Sequence, residues 1–169
     1  MKMDGNRSLS LLFYRARRTW HVQERISAFA ARMGMELTSV VAVMEEDSLF
    51  SSLSQSLKAA DLVLICGGDN APSCAGTVFS RLHIPVDGQG EPSGVLRLEG
   101  GEAKGYLIES AKQAILLLPD DEKALQELLE PAVKPLARKF ALDPQSTTPP
   151  SLDYEALVES CADRLRRGE

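Results

Sequence analysis

The chain has 169 residues, 44% of them hydrophobic and 25% charged, with a formal net charge of −5. That length supports one domain with a proper core. The acidic balance excludes a general nucleic-acid binder, no apolar run approaches the roughly 18 residues of a membrane helix, and three scattered cysteines exclude a disulfide framework. The opening MKMDGNRS lacks a leader pattern, so a cytoplasmic protein is expected. Cys66 and Cys161 read as small buried hydrophobes, and Cys74 as a loop thiol.

SLSLLFY (8–14) reads as a first strand. WHVQERISAFAARM (20–33) follows as a helix, with Val22, Ile26, Phe29, Ala30 and Met33 on one face. Gly34 stops it. ELTSVVAVM (36–44) is a β-branched second strand. An acidic turn then leads into a helix with Leu49, Phe50, Leu53 and Leu57 in its stripe and Asp47 or Ser48 as cap. DLVLIC (61–66) is apolar throughout, as suits a strand covered on both faces.

Residues 8–66 thus read β-α-β-α-β, which predicts a parallel sheet with right-handed crossovers. Ligands in such sheets gather beyond the carboxyl ends of the strands. Two segments emerge there, RARRTWH after the first strand and GGDNAPS after the third. AGTVFSRLH (75–83) reads as a short helix. Residues 84–105 are rich in Gly and Pro, with GEAKG as a turn. GVLRLEG and GYLIESAKQAILLLP read as partly antiparallel strands, ESAKQ being a hairpin turn. DDEKALQELLEPAVKPLARKF is helical, with Leu125, Leu128, Leu129, Leu136 and Phe140 on one side. Asp120, Asp121 and Glu122 suit the positive end of its dipole. Pro131 and Pro135 are expected to break or kink it. The expected organisation is a domain over 1–142, a linker over 143–151 and a C-terminal amphipathic helix over 152–169 that packs on the domain.

In GGDNAPS, Gly67 and Gly68 let backbone N–H groups approach a ligand with no Cβ in the way. Asp69, Asn70 and Ser73 add polar groups. The same stretch also reads as a plain strand-to-helix turn, with Asn70 or Ser73 as the cap. Arg15, Arg17 and Arg18 suit bidentate phosphate contacts, and Trp20 suits stacking on a flat ring. They also read as a solvated basic turn with Trp20 packed on the sheet. Asp69, Asp120 and Asp121 are candidate ligands for a divalent metal, against the simpler reading of acids at a helix start. Glu99 and Glu102 are further such candidates. His21 and His83 fit no catalytic spacing and read as structural.

The ordered set of a Val-rich strand, an acidic turn, a helix, DLVLICGG, a Gly-rich hairpin and AILLLPDDEKALQELL resembles the molybdopterin-binding (MoaB/Mog-like) domains. Its nearest form is the N-terminal domain of the CinA proteins, over about residues 20–140. Gly67 and Gly68 match the family's Gly-Gly, and Pro72 and Ser73 its Pro-Thr. Gly101, Ala103, Gly105, Leu118 and Pro119 match its hairpin and strand. The family's acidic pair falls near Ala75 and Gly76 and is absent, and its Gly-Asp-Glu-Leu segment is replaced by YRARRTWH.

The resemblance implies a three-layer α/β/α sandwich with a mainly parallel sheet, plus a small Gly-rich hairpin region. It adds Gly101, Glu102 and Gly105 to a ligand pocket. It also implies a molybdopterin or nucleotide ligand, Mg²⁺, and a homo-oligomer. The missing acidic pair removes carboxylates that a catalytic metal needs. The sequence therefore points to a binder of a pterin- or nucleotide-like anion without the usual catalysis. The alternative is an active metal-dependent nucleotide pyrophosphatase, or an enzyme of molybdenum-cofactor biosynthesis.

Overall fold

The computed structural model describes residues 7–17, 19–67, 71–89, 91–100 and 103–144. The start of the first strand's flank, residues 1–6, and the expected helix at 152–169 lie outside them, as does the linker from 145 onward. Strand β1 (Arg7–Tyr14), helix α1 (Thr19–Met33), strand β2 (Met35–Val43), helix α2 (Glu46–Ala59) and strand β3 (Leu62–Gly67) form the expected opening. Helix α3 (Ala71–Arg81), strands β4 (Leu96–Gly100), β5 (Ala103–Glu109) and β6 (Ala114–Pro119), and helix α4 (Glu122–Phe140) complete it.

The six strands form one sheet in the order β2-β1-β3-β6-β5-β4. Pairing is parallel from β2 through β6 and antiparallel across β4, β5 and β6. Strand β3 is buried at all six positions, as its unbroken apolarity requires. One core cluster holds Leu9, Leu11 and Phe13 of β1 with the apolar faces of α1 and α4. The other holds Leu12 and Tyr14 with α2 and α3. Alternate residues of β1 therefore serve opposite layers, and the chain is a three-layer α/β/α sandwich. No helix among the described residues is long and apolar enough to cross a membrane.

Several boundaries differ from expectation. Helix α3 begins four residues early, so Pro72 and Ser73 lie in its first turn. Proline is tolerated there because its missing N–H has no intrahelical partner to lose. Ser73 is thus not the residue that precedes the helix. His83 ends the segment in the left-handed region at φ 56°, with Ile84 N–H donating back to the Phe79 carbonyl. Neither Asp47 nor Ser48 caps α2: Glu45 occupies the cap and makes no side-chain cap hydrogen bond. Gly34 does take a positive φ, 71°, where α1 ends. GEAKG is only partly a turn, because Ala103, Lys104 and Gly105 already belong to β5.

Helix α4 runs unbroken through Pro131 and Pro135. Pro131 removes the N–H that would bond the Glu127 carbonyl. A Cβ on Gly100 of β4 would lie 2.7 Å from that carbonyl oxygen. The freed carbonyl therefore rests against bare glycine backbone, and the strand closes on the helix where a larger residue would hold it off. The apolar face of α4 stays buried on both sides of the prolines, and that burial outweighs a lost hydrogen bond worth about 1 kcal/mol.

Candidate functional site

The strand register sets Tyr14, Gly67 and Pro119 side by side, so β1, β3 and β6 end flush. Chain order reverses between β1 and β3: β1 leads to β2 on one side, and β2 returns to β3 on the other. Such a switch point opens a crevice beyond the carboxyl ends. The chain leaves β1 through Arg15, Ala16 and Arg17, leaves β3 toward 68–70, and leaves β6 through Asp120.

Asp120 ties these exits together. Its N–H donates to the Gly67 carbonyl at 3.2 Å. Its carboxylate Oδ2 accepts the Arg17 backbone N–H at 2.8 Å. The β1, β3 and β6 exits are thereby cross-linked by two hydrogen bonds to one residue. Beside them a cavity of about 340 Å³ is lined by His21, Val22, Asp120 and Glu122. Arg25 reaches across from α1 to pair with Glu122 at 2.9 Å. His21, read as structural, and Glu122, read as a helix-start acid, thus both border the rim. Glu122 and Asp120 were legible as residues following a strand that ends at the crevice; His21 carried no signal.

Helices α1 and α3, which start on either side of the crevice, have no acidic residue in their first turns. Helices α2 and α4 do. The first turns of α1 and α3 thus hold no acid of their own, although Asp69 lies two residues before α3 in the sequence and the Asp120 carboxylate sits on the Arg17 N–H two residues before α1.

The other candidates divide. Arg17 and Gly67 meet at Asp120. Arg15 is folded away from the crevice: its φ is 53°, its Nε donates to the Met44 carbonyl at 3.0 Å, and its guanidinium stands over the Tyr14 ring. Asp121 accepts the Ala124 N–H at 2.9 Å and is the cap of α4, so its carboxylate is engaged by its own helix. Gly105 is buried in β5, where a Cβ would lie 2.9 Å from the Leu118 side chain. Its lack of a side chain serves sheet packing at that place. Trp20 is 67% exposed. At about 100° per residue it lies on the flank of α1 opposite Arg25 and Arg32, which face α4. Glu99 pairs with Arg97 on β4. Arg18, Gly68, Asp69, Asn70, Gly101 and Glu102 lie outside the described residues, and of Ser73 only the backbone position is described. Among the described residues no group of three or more His, Cys, Asp or Glu side chains is arranged to hold a metal ion.

A larger groove of about 520 Å³ opens at the opposite end of the sheet, between α4 and the β4–β5 hairpin. It borders none of the sequence-derived candidates.

Comparison with solved structures places this architecture. The chain matches the crystal structure of the protein CinA, of unknown function, from Thermoplasma acidophilum, with a TM-score of 0.64. The match covers 78% of this chain and 98% of that one, at 14% sequence identity. The fold is CinA-like. At that identity the likeness concerns the fold alone. No protein-family model matches the sequence, and no curated protein matches it. The MoaB/Mog part of the expected resemblance therefore has no sequence-level support. The CinA-like part stands at the level of backbone architecture.

Proposed function

We propose that this chain is a divergent CinA-like binding module for a small pterin- or nucleotide-like anion, held in the crevice beyond β1 and β3. The observation that carries the reading is the Asp120 tie, which fixes the exits of three strands into one rim. A preformed rim spares a ligand the entropy of ordering its loops. Two helices with no acid in their first turns start at that rim, and Arg17 adds a cationic residue at the β1 exit. The Gly67-Gly68 pair allows close backbone approach. Of the acids at the rim, Glu122 is paired with Arg25, while Asp120 accepts a backbone N–H and keeps its charge.

A magnesium-dependent nucleotide pyrophosphatase of the CinA type, or a molybdenum-cofactor enzyme, is the second reading. It is favoured by the position of Asp120 at the crevice. A divalent cation can bind through one or two carboxylates while keeping several waters. Asp121 is engaged as a cap and Glu122 is paired with Arg25, so the described residues at the crevice offer Asp120 with His21 beside it, which do not make a full ligand set.

Thermal-shift measurements with nucleotides and reduced pterins test the binding reading. A ligand at a hundred times its Kd adds about 2.7 kcal/mol, or roughly 5–10 °C for a domain of this size. Arg17→Ala and Gly68→Val are expected to abolish the shift while the unliganded melting point stays within a few degrees. Shifts that survive both substitutions would place the ligand elsewhere. Incubation with ADP-ribose and Mg²⁺ tests the second reading: AMP release that disappears in Asp120→Ala would establish catalysis and end the non-catalytic reading.

A further inference from the structure

We propose that the groove between α4 and the β4–β5 hairpin is the docking site for the chain's own C-terminal segment, residues 152–167. The segment returns antiparallel to α4 and lays its apolar stripe on the uncovered end of the hairpin.

The groove holds about 520 Å³, with Leu96 and Leu107 as its floor and Lys134, Pro135, Arg138 and Lys139 as its α4 wall. Leu96 stands opposite Leu107 in the β4–β5 ladder, so both lie on one face of the sheet. Leu107 is packed into the core cluster that holds α1 and α4, yet Leu96 is 45% exposed. The apolar face of the sheet therefore runs out from under α4 into the groove. Glu109 is the one acid among the lining residues, against three cations. Lys139 donates to the Ser110 carbonyl. Neither Lys134 nor Arg138 has an ion pair among the described residues.

Connectivity delivers the C-terminal segment to this place. Helix α4 ends at Phe140, and Leu142 still packs against the core cluster beneath it. The described chain thus ends, at residue 144, beside the mouth of the groove. Residues 144–151 precede Leu152 and include Pro144, Pro149 and Pro150, which end the run of α4. Extended, eight residues reach about 26–29 Å, ample for a reversal beside the helix they follow. Tyr154, Leu157, Val158, Cys161 and Leu165 have the spacing of one helical face. That stripe needs an apolar surface, and Leu96 with its surroundings supplies one.

Charge selects this occupant and its direction. In α4, residues 134–139 carry Lys134, Arg138 and Lys139 and no acid, whereas 122–130 carry Glu122, Glu127 and Glu130 against Lys123. In the segment, residues 152–163 carry Asp153, Glu155, Glu159 and Asp163 and no base, whereas 164–167 carry Arg164, Arg166 and Arg167. An antiparallel return brings opposite halves together; a parallel one would set arginines on lysines. Spacing agrees with this. Glu127 and Arg138 are eleven residues apart, as are Asp153 and Arg164, which is about three helical turns. One register therefore sets Asp153 beside Arg138 and Arg164 beside Glu127, with Leu157 level with the stem of Lys134. Glu155, Glu159 and Asp163, four apart, form a row directed away from the α4 side and stay in water.

Hydrogen exchange of the full chain, followed by mass spectrometry of peptides spanning 153–167, is the test. In wild type these amides are expected to exchange about tenfold or more slower than in an unstructured peptide of the same sequence. The double substitution Lys134→Glu with Arg138→Glu should remove most of that protection, while the buried β3 amides stay protected. Lys58→Glu, at an exposed position of α2 in the opposite layer, should leave it unchanged. Leu96→Asp, at an exposed site in the floor, repeats the test should the α4 variant not fold. A segment that exchanges freely in wild type overturns the proposal. So does one that keeps its protection in both variants, which would dock elsewhere, as on the apolar groove of Leu57, Leu82 and Ile84. Protection that grows with protein concentration would seat the segment on another copy, and equally overturns it.

Discussion

Asp120 and Asp121 are adjacent carboxylates at the same helix start, and they do different work. Asp121 accepts the Ala124 N–H and caps α4; Asp120 turns back to hold Arg17 and Gly67. Composition treats them alike, and only the direction of each side chain separates a cap from a rim residue. Asp121→Ala is expected to cost about 1 kcal/mol of stability, the usual loss for an N-cap. Asp121→Ser should restore most of it. Urea denaturation of the three proteins checks this, and any ligand-induced shift should be the same in all three. Arg15 and Trp20 teach the same lesson from the other side. Both were read toward a ligand pocket from their nearness to the β1 exit; the structure sets Arg15 in a left-handed backbone with its guanidinium on the Met44 carbonyl and the Tyr14 ring, and Trp20 exposed in the first turn of α1.

At the scale of elements, hydrophobic patterning located α1, α2, β3 and α4, because burial of an apolar face is the largest favourable term in forming one; α3, which had no such stripe, begins four residues before its expected start. What period could not supply was the outcome at punctuating residues. Pro72 begins a helix, Gly76 does not interrupt it, and Pro131 and Pro135 lie inside another. In α4 the reason is a contact far away in sequence, the close approach of Gly100 to Glu127. Gly100→Ala is therefore expected to destabilise the protein by about 1–3 kcal/mol, the range for overpacking, since its Cβ would stand 2.7 Å from the Glu127 backbone. Equilibrium denaturation measures the loss. A neutral result would mean that α4 can lift from β4 at no cost.

Across the whole molecule, two ion pairs clasp α1 to α4 over the middle of the sheet, Arg25 with Glu122 and Arg32 with Glu130. The hydrogen bond from the Arg32 guanidinium, with its charge, holds the Glu130 carboxyl below its ordinary value of 4.5, against a smaller opposing effect of burial. A carboxyl depressed in the folded state stabilises it above the unfolded pKa and loses that contribution as pH falls through the folded one. The clasp should therefore weaken as pH drops below about 4.5. Glu130→Gln is expected to flatten the acid limb of the stability curve there, by no more than about 1 kcal/mol because the Glu130 carboxylate is largely exposed. Melting temperatures of both proteins across the acid range check it. What the sequence alone determined was the class of fold: the β-α-β-α-β order, the apolar β3 and the glycines after it follow from local periods and backbone freedom, which are properties of neighbouring residues. What only the tertiary structure decided was which polar residues meet. The Asp120 tie joins positions 17, 67 and 120, and the α1–α4 clasp joins 32 and 130. Each depends on contacts between residues distant along the chain, and those are set by how the layers pack.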